Sequence, residues 1–344
     1  MRFVVYTPDR ANYHEISHAI SISASRHYNG IGKITVTAPT DAYSVATLVH
    51  DGLILDLSNG ETYIIVDVKY SSQQNTLTAN GFTADALLNR RVIKDSATFT
   101  DVEAGVLSAC SANLRGLPRI SIASPSGLTE DGEEVSLSGG QLLDGIMPIL
   151  DKAELGHRMV WDINTRTHTF ELYKGRDLTS GIHAVTFSEE QGTAADLVIT
   201  DDSSTFASCI YLPYEDVNGE QQVYEYGTAT GADRVEYWIT SGETKDGDET
   251  DADYLARLKT VCESAAAERI RRTSFSATVD GSELGVAYDL GDKVSCASMR
   301  YGVSFVTRIT GVKYALDNRG EKTTLILGEP ELTALEEVKL NAKY

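Results

Sequence analysis

The sequence predicts a mainly β chain, two related β-barrel modules around an α+β insert, and three observations carry that expectation. First, residues 15–25 alternate with period two: Ile16, His18, Ile20, Ile22 and Ala24 share one parity, and Glu15, Ser17, Ala19, Ser21, Ser23 and Ser25 the other. That spacing gives a strand one apolar and one polar face. Second, 17 Tyr against 7 Pro, with Ser, Thr and Val recurring at strand spacing, is a strand-rich composition. Third, DVKYSSQQNTLTANG at 67–81 lines up with GVKYALDNRGEKTTLILG at 311–328. Each is a strand ending in V-K-Y, a polar turn and a strand closing on Gly. Both follow a Gly-containing strand, GLILDL at 52–57 and LGDKVSC at 290–296, and this parallel placement points to an internal duplication.

In chain order, residues 1–93 form the first module. The strand at 15–25 is followed by RHYNGIGK, whose Asn29 and Gly30 suit a turn with positive φ, and by KITVTAP. DAYSVATLV is a short helix capped by Thr40 or Asp41. GLILDL and YIIVDVKY join through Asn59 and Gly60, and NTLTANG leads into a helical TADALLNRRV. Residues 94–183 read as the α+β insert. TDVE at 100–103 is a capping box opening the helix VEAGVLSACSANL. Strand RISIAS follows, then a helix in SGGQLLDGIMPILDKAEL that Pro148 kinks or shortens, then the hairpin HRMVWDINTRTHTFELYKG. Residues 184–330 return to strands, AVTFS, DLVIT, FASCIYLPYE, QQVYEYG and RVEYWI, then KVSCAS, VSFVTRITGVKYAL and KTTLILG. A helix from about Asp251 interrupts them, with Tyr254, Leu255, Leu258, Val261 and Cys262 on one stripe. Residues 331–344 form a C-terminal tail or short helix.

Length and charge narrow the function classes. A chain of 344 residues is two or three domains' worth. With 50 Asp plus Glu against 30 Lys plus Arg, the net charge of −20 repels nucleic acid and anionic membranes. Four scattered cysteines, Cys110, Cys209, Cys262 and Cys296, with no C-x-x-C pair, fit buried free thiols in a reduced chain. The N-terminus MRFVVYTPDR has no apolar run long enough for a signal peptide, and the apolar runs elsewhere are strand-sized, so synthesis in the cytosol and no membrane anchor are expected.

The candidate chemical motifs do not assemble into a site. HEISH at 14–18 matches the H-E-x-x-H zinc-protease signature, which needs a helix to bring both imidazoles to one metal with Glu15 as base. On a strand His14 and His18 stand roughly 13 Å apart. The acidic loop at 242–253 puts Asp246, Asp248 and Thr250 at calcium-loop spacing but has Asp251 and Arg257 where the required Gly and Glu should stand, so it reads as an exposed loop favouring the next helix N-terminus. Asp201 and Asp202 beside Ser203 and Ser204 are turn chemistry, and GSELG at 281–285 has Ser282 directly after Gly281, unlike a nucleophile elbow. His157, His168 and His183 flank the hairpin; the first two could pair across it, but surface or turn positions are expected for all three. No catalytic, cofactor-binding or metal-binding residue is assigned, and no cofactor is expected.

The succession RHYNGIGKITVTAP, GLILDLSNGETYIIVDVKYSSQQNTLTANGFTADALLNRRVI, FELYKGRDLT, AVTFSEEQGTAADLVITDDSS and VAYDLGDKVSC resembles the tail-hub proteins of long-tailed phages and prophages, the ReqiPepy-type siphovirus tail family related to the N-terminal domains of tail-associated lysins. The similarity covers about residues 1–330, through turn glycines, Arg176-Asp177 after Gly175, and Leu290-Gly291-Asp292. It implies a non-enzymatic homotrimeric hub at the virion tail tip, assembled in the bacterial cytoplasm. Each subunit would contribute two tube-like barrels, so that a trimer matches a hexameric tube ring around the DNA channel. The implied partners are the chain itself, the distal tail protein, tail tube and tape-measure proteins, and receptor-binding or fibre proteins, without tight nucleic-acid binding. No appended peptidase or wall-degrading domain follows the matching region, so lytic activity is not carried over. The competing class is a secreted carbohydrate-binding or adhesion module using Tyr-rich strands for stacking, which the absence of a signal peptide disfavours.

Overall fold

The computed structural model describes residues 2–216, 219–240, 242–247, 249–328 and 340. The chain divides into two compact units, one of residues 1–198 with 276–327, the other of 199–275 with 328–344.

The architecture is mostly β, and its main feature is a 13-stranded sheet. The sheet contains the same strand order twice. One half runs Ser21–His27, Lys33–Pro39, Thr76–Thr83, Thr62–Ser71, Leu53–Asp56, Phe3–Tyr6 and Tyr13–Glu15. The other runs Ala195–Asp202, Arg272–Val279, Gly320–Gly328, Val303–Asp317, Lys293–Ser298 and Thr186–Phe187. In each, a long strand carrying V-K-Y forms a hairpin with the strand after it and pairs with the shorter strand before it. The likeness extends to an irregularity. The first hairpin slips register between Ile65 and Asp67, the second between Ile309 and Gly311, each just before its V-K-Y. A bulge re-aims the strand that carries it, so its recurrence at the same place gives both halves the same bend. They differ at the outer end, where Phe3–Tyr6 lies antiparallel to Leu53–Asp56 but Thr186–Phe187 lies parallel to Lys293–Ser298.

The expectation of two barrels is corrected here: neither half closes on itself among the described residues. Closing the first would require Ser21–His27 to bond across to the strands at its far end. That edge is instead occupied by Val303–Asp317, with Gly311 opposite His27 and Leu316 opposite Ile22. One pairing therefore joins the halves into a continuous open sheet.

The expected strand at 15–25 is also two strands, Tyr13–Glu15 and Ser21–His27, because Tyr13–Glu15 pairs with Phe3–Tyr6 while Ser21–His27 turns to Lys33–Pro39. Helix Ala42–Thr47 is capped by Asp41, whose side chain accepts from Ser44 N. TADALLNRRV is a 3-10 helix over Ala84–Arg90.

The insert segment supplies helices Val102–Asn113 and Leu142–Lys152 and two small sheets. Pro148 lies inside the second helix without ending it. TDVE acts differently from a capping box. Asp101 is the cap, accepting from Ala104 N, while the Glu103 carboxylate accepts from Ser126, Gly127 and Leu128 N and so holds a loop against the helix start. Leu107, Cys110, Leu142, Leu143, Ile146, Leu150, Phe170 and Leu172 pack with Val4, Leu53 and Ile64 of the sheet in one core. Full burial of one such large side chain stabilises by about 1.5–3 kcal/mol.

The second unit packs helix Asp251–Glu268 on a three-stranded sheet of Cys209–Glu215, Gln221–Tyr226 and Glu236–Trp238. Thr250 caps the helix by accepting from Asp253 N at 3.2 Å. The buried stripe is Tyr254, Leu258, Cys262 and Ala265; Leu255, expected on it, is exposed, since its neighbour Tyr254 already faces the sheet. The terminal residues 331–344 lie outside the described residues apart from Leu340, which joins this core.

Candidate functional site: a polar clasp

The two short motifs that the sequence singled out, Gly175-Arg176-Asp177 and Leu290-Gly291-Asp292, meet in space. Arg176 donates its backbone N–H to Asp292 Oδ1 at 2.7 Å, and its guanidinium reaches the same carboxylate with Nη2 2.6 Å and Nε 3.1 Å from Oδ2. Asp292 is buried and also accepts from Asp289 N at 2.8 Å. A buried carboxylate is tolerated when its oxygens are filled in this way. The strands then zip together, with Lys293 N donating to Arg176 O and Leu178 N to Lys293 O.

Both glycines are required by contact. A Cβ at Gly175 would lie 1.9 Å from the Gly291 carbonyl oxygen, and one at Gly291, where φ is +93°, would lie 2.3 Å from Tyr28 Cε2. Tyr28 fills the junction: its hydroxyl donates to Glu154 O at 2.9 Å and accepts from Gly175 N at 3.3 Å. Arg308 stacks over the Tyr28 ring at 5.0 Å and donates to Gly291 O, and with Lys293 it holds the Glu154 carboxylate at 2.9 and 2.8 Å. The Lys293 hydrogen bond and the nearby cations hold the Glu154 carboxyl below the usual range. Residues from both halves of the sheet and from the insert are thus locked at one point.

Beside the clasp lies a second polar cluster. Arg26 donates from Nε to Tyr314 OH at 3.0 Å and from Nη2 to Asp289 Oδ1 at 3.1 Å. A small cavity next to it is lined by Arg26, Glu61, Thr83, Asp85, His157 and Asp289 among others. Burial raises the Glu61 carboxyl from its ordinary 4.5 to about 7, against the pull of Arg26. His157 Nδ1 lies 3.1 Å from Asp85 Oδ2.

The sequence expectation for the hairpin histidines is corrected. His157 and His168 are buried, and they do not face each other, since His157 is opposite Leu172 and His168 opposite Trp161. His168 Nε2 lies 3.0 Å from Thr62 Oγ1, and burial pushes its pKa down to about 3, so it is a neutral structural group. His183 is exposed in a turn.

The other candidates stay apart. His14 is on a strand opposite Val5, and His18 lies in the loop that follows, 3.2 Å from Asp41 Oδ2, so HEISH has no helix on which to form a metal pair. Asp201 pairs with Arg271, and Asp202 accepts from Ser204 N. Ser282 N donates to Asp280 in a turn. Asp248 lies outside the described residues. Asp246 N donates to Glu249, and Arg257 pairs with Glu243 and Glu249. The four cysteines are buried and free; burial pushes Cys110 and Cys296 up to about 12 and Cys262 up to about 11. Among the described residues no helix is long and apolar enough to cross a membrane.

The clasp's polar groups are engaged with one another rather than held towards a substrate, which is the chemistry of a joint. Sequence reasoning found Gly175, Arg176 and Leu290–Asp292 but missed Tyr28, Glu154, Arg308 and the Arg26–Tyr314 pair. Each of these residues meets a partner more than a hundred positions away, and nothing in its local sequence names that partner.

A family model for the Siphovirus ReqiPepy6 Gp37-like protein matches residues 2–329. The chain belongs to this siphovirus tail protein family. Its fold is shared with solved phage tail proteins. The tail protein from Neisseria meningitidis MC58 superposes with a TM-score of 0.60 at 12% identity, over 96% of this chain and 97% of that one. The 43 kDa tail protein of prophage MuSo2 from Shewanella oneidensis gives 0.60 at 9%, over 96% and 98%. The prophage tail protein gp18 from Listeria monocytogenes EGD-e gives 0.54 at 13%, over 100% and 99%. No curated protein sequence matches the chain. The chain is therefore a phage tail structural protein with a mostly β fold.

Proposed function

We propose that this chain is the tail-tip hub of its particle: three copies form a ring that caps the tail tube and connects it to the tip, without catalysis. The observation that supports the reading is the doubled strand order, including the repeated bulge before each V-K-Y. One chain brings two similar sheets, so three chains present six, the number that a sixfold tube requires of a threefold cap. The halves take the place of the expected barrels at 1–93 and 184–330, and the segment 94–183 is the part clamped between them in sequence. The partners follow from the position: the tail tube and tape-measure proteins on one side, the distal tail protein and the receptor-binding or fibre proteins on the other. The net charge of −20 favours a channel in which duplex DNA slides without adhering.

The test is native mass spectrometry of the purified chain across concentration, with labelling of particles by antibody. A threefold mass and label at the tail tip support the hub. Label along the tail shaft, or on fibres alone, contradicts it.

A further inference from the structure

The two halves of the sheet are alike in strand order but unlike in what covers their long strand. In Val303–Asp317, residues 303–308 pair with Lys293–Ser298, and beyond the bulge the same side pairs with Ser21–His27. In Thr62–Ser71, residues 62–64 pair with Leu53–Leu55 and Ile65 bonds to the backbone of Asp51 and Gly52. From Val66 to Ser71 that side has no backbone partner among the described residues. The strand equivalent to Ser21–His27 is Ala195–Asp202, the outermost in its half, which pairs with Arg272–Val279 and ends the sheet. Among the described residues, each free edge is thus the counterpart of one side of a joint that the chain already makes within itself.

We propose that strand Ala195–Asp202 of a second copy of this chain adds antiparallel to residues 66–71, reproducing between copies the pairing of Ser21–His27 with 311–316. The inference rests on the reading that several copies assemble, and it names the joint. Side chains agree with it. Tyr314 is 6% exposed beneath Ser21–His27, whereas Tyr70, in the same V-K-Y position, is 55% exposed. Val198 on the other edge is 56% exposed. Leu197 N–H donates to the Glu189 carboxylate, a side chain that can yield to a strand. An unprotected edge offers a row of backbone donors and acceptors, and a partner strand adds affinity through them while Tyr70 fills the interface. The contact is head-to-tail, the type of interface that generates a ring when the rotation between copies closes and a filament when it does not.

The experiment uses two full-length single variants, Ser71→Cys and Val198→Cys, on the background of four buried native thiols. They are mixed and treated with a flexible bismaleimide spanning about 13 Å, long enough to tolerate a two-residue slip at about 3.3 Å per residue. A linked dimer in the mixture, and none from either variant alone, is expected. The double variant is expected to give linked trimer. Hydrogen exchange at residues 66–71 should slow at least tenfold on assembly. A native-mass trimer that gives no mixed link and no added protection overturns this joint while leaving the hub reading intact. A chain that stays monomeric throughout overturns both.

Discussion

The hairpins at 62–83 and 303–328 share a V-K-Y, a bulge before it and the same neighbours on one side, yet one tyrosine is buried and the other is not. The difference is a single strand. Ser21–His27 brings Arg26 over Tyr314, with its guanidinium 5.9 Å from the ring centre and Nε on the hydroxyl, while Tyr70 has nothing equivalent among the described residues. The same local sequence therefore gives the same local structure in both places, and burial is set by a residue 288 positions away.

The contrast is broken most severely at the two tyrosines. Tyr314→Ala removes a buried ring and leaves Arg26 with one fewer partner, and should cost about 3–5 kcal/mol in urea unfolding of the isolated chain. Tyr70→Ala should change the same midpoint by no more than about 0.5 kcal/mol and show its effect only on assembly. Equal losses would remove the distinction between covered and open edges.

A somewhat smaller effect is expected at the glycines. Gly291→Ala places a methyl against Tyr28 in a left-handed backbone and should cost about 2–4 kcal/mol, whereas Gly60→Ala, at φ +77° in open space, should cost about 1 kcal/mol. Comparable midpoints for the two variants would mean that the clasp does not order the junction.

The halves also differ in titration, since Glu61 has no acidic counterpart: the residue in its place before the second bulge is Phe305. The Glu61 carboxyl is raised to about 7 when folded. The folded state therefore holds its proton more tightly than the unfolded chain, so this stability is present below about 4.5 and is lost as pH rises through 7. Glu61→Gln should flatten the dependence of the unfolding midpoint on pH across that window. An unchanged slope would assign it to other groups.

The smallest effect is expected at the lysines. Lys69 and Lys313 are both exposed, and replacing either with Ala should move stability by less than about 0.5 kcal/mol.

Much of this comparison was legible in the sequence. Period-two patterns located most strands, and the V-K-Y alignment identified equivalent places in the sheet before any geometry was known. Gly175 and Gly291 stood out too, though the reason, each glycine leaving room for the other segment or for Tyr28, is a packing fact. What could not be read was long-range pairing. Nothing local says that Ser21–His27 will bond to residues 311–316 and so leave an open sheet where two barrels were expected. The burial of His157 and His168 escaped for the same reason, because it comes from residues such as Asp85 and Thr62 on distant elements. Glu103 looked like a capping-box partner, but the loop at 126–128 offered three donors that a helix terminus could not match.

A density map of the assembled tail tip is the most direct test of the account. It predicts three copies of this chain around the channel, six similar sheets in the ring, residues 66–71 paired with 195–202 of the neighbouring copy, Tyr70 buried at each of those joints, and more Asp and Glu than Lys and Arg along the channel wall. A tip in which the chain is present in one copy, or in which its two halves occupy unrelated places in the ring, would contradict the hub.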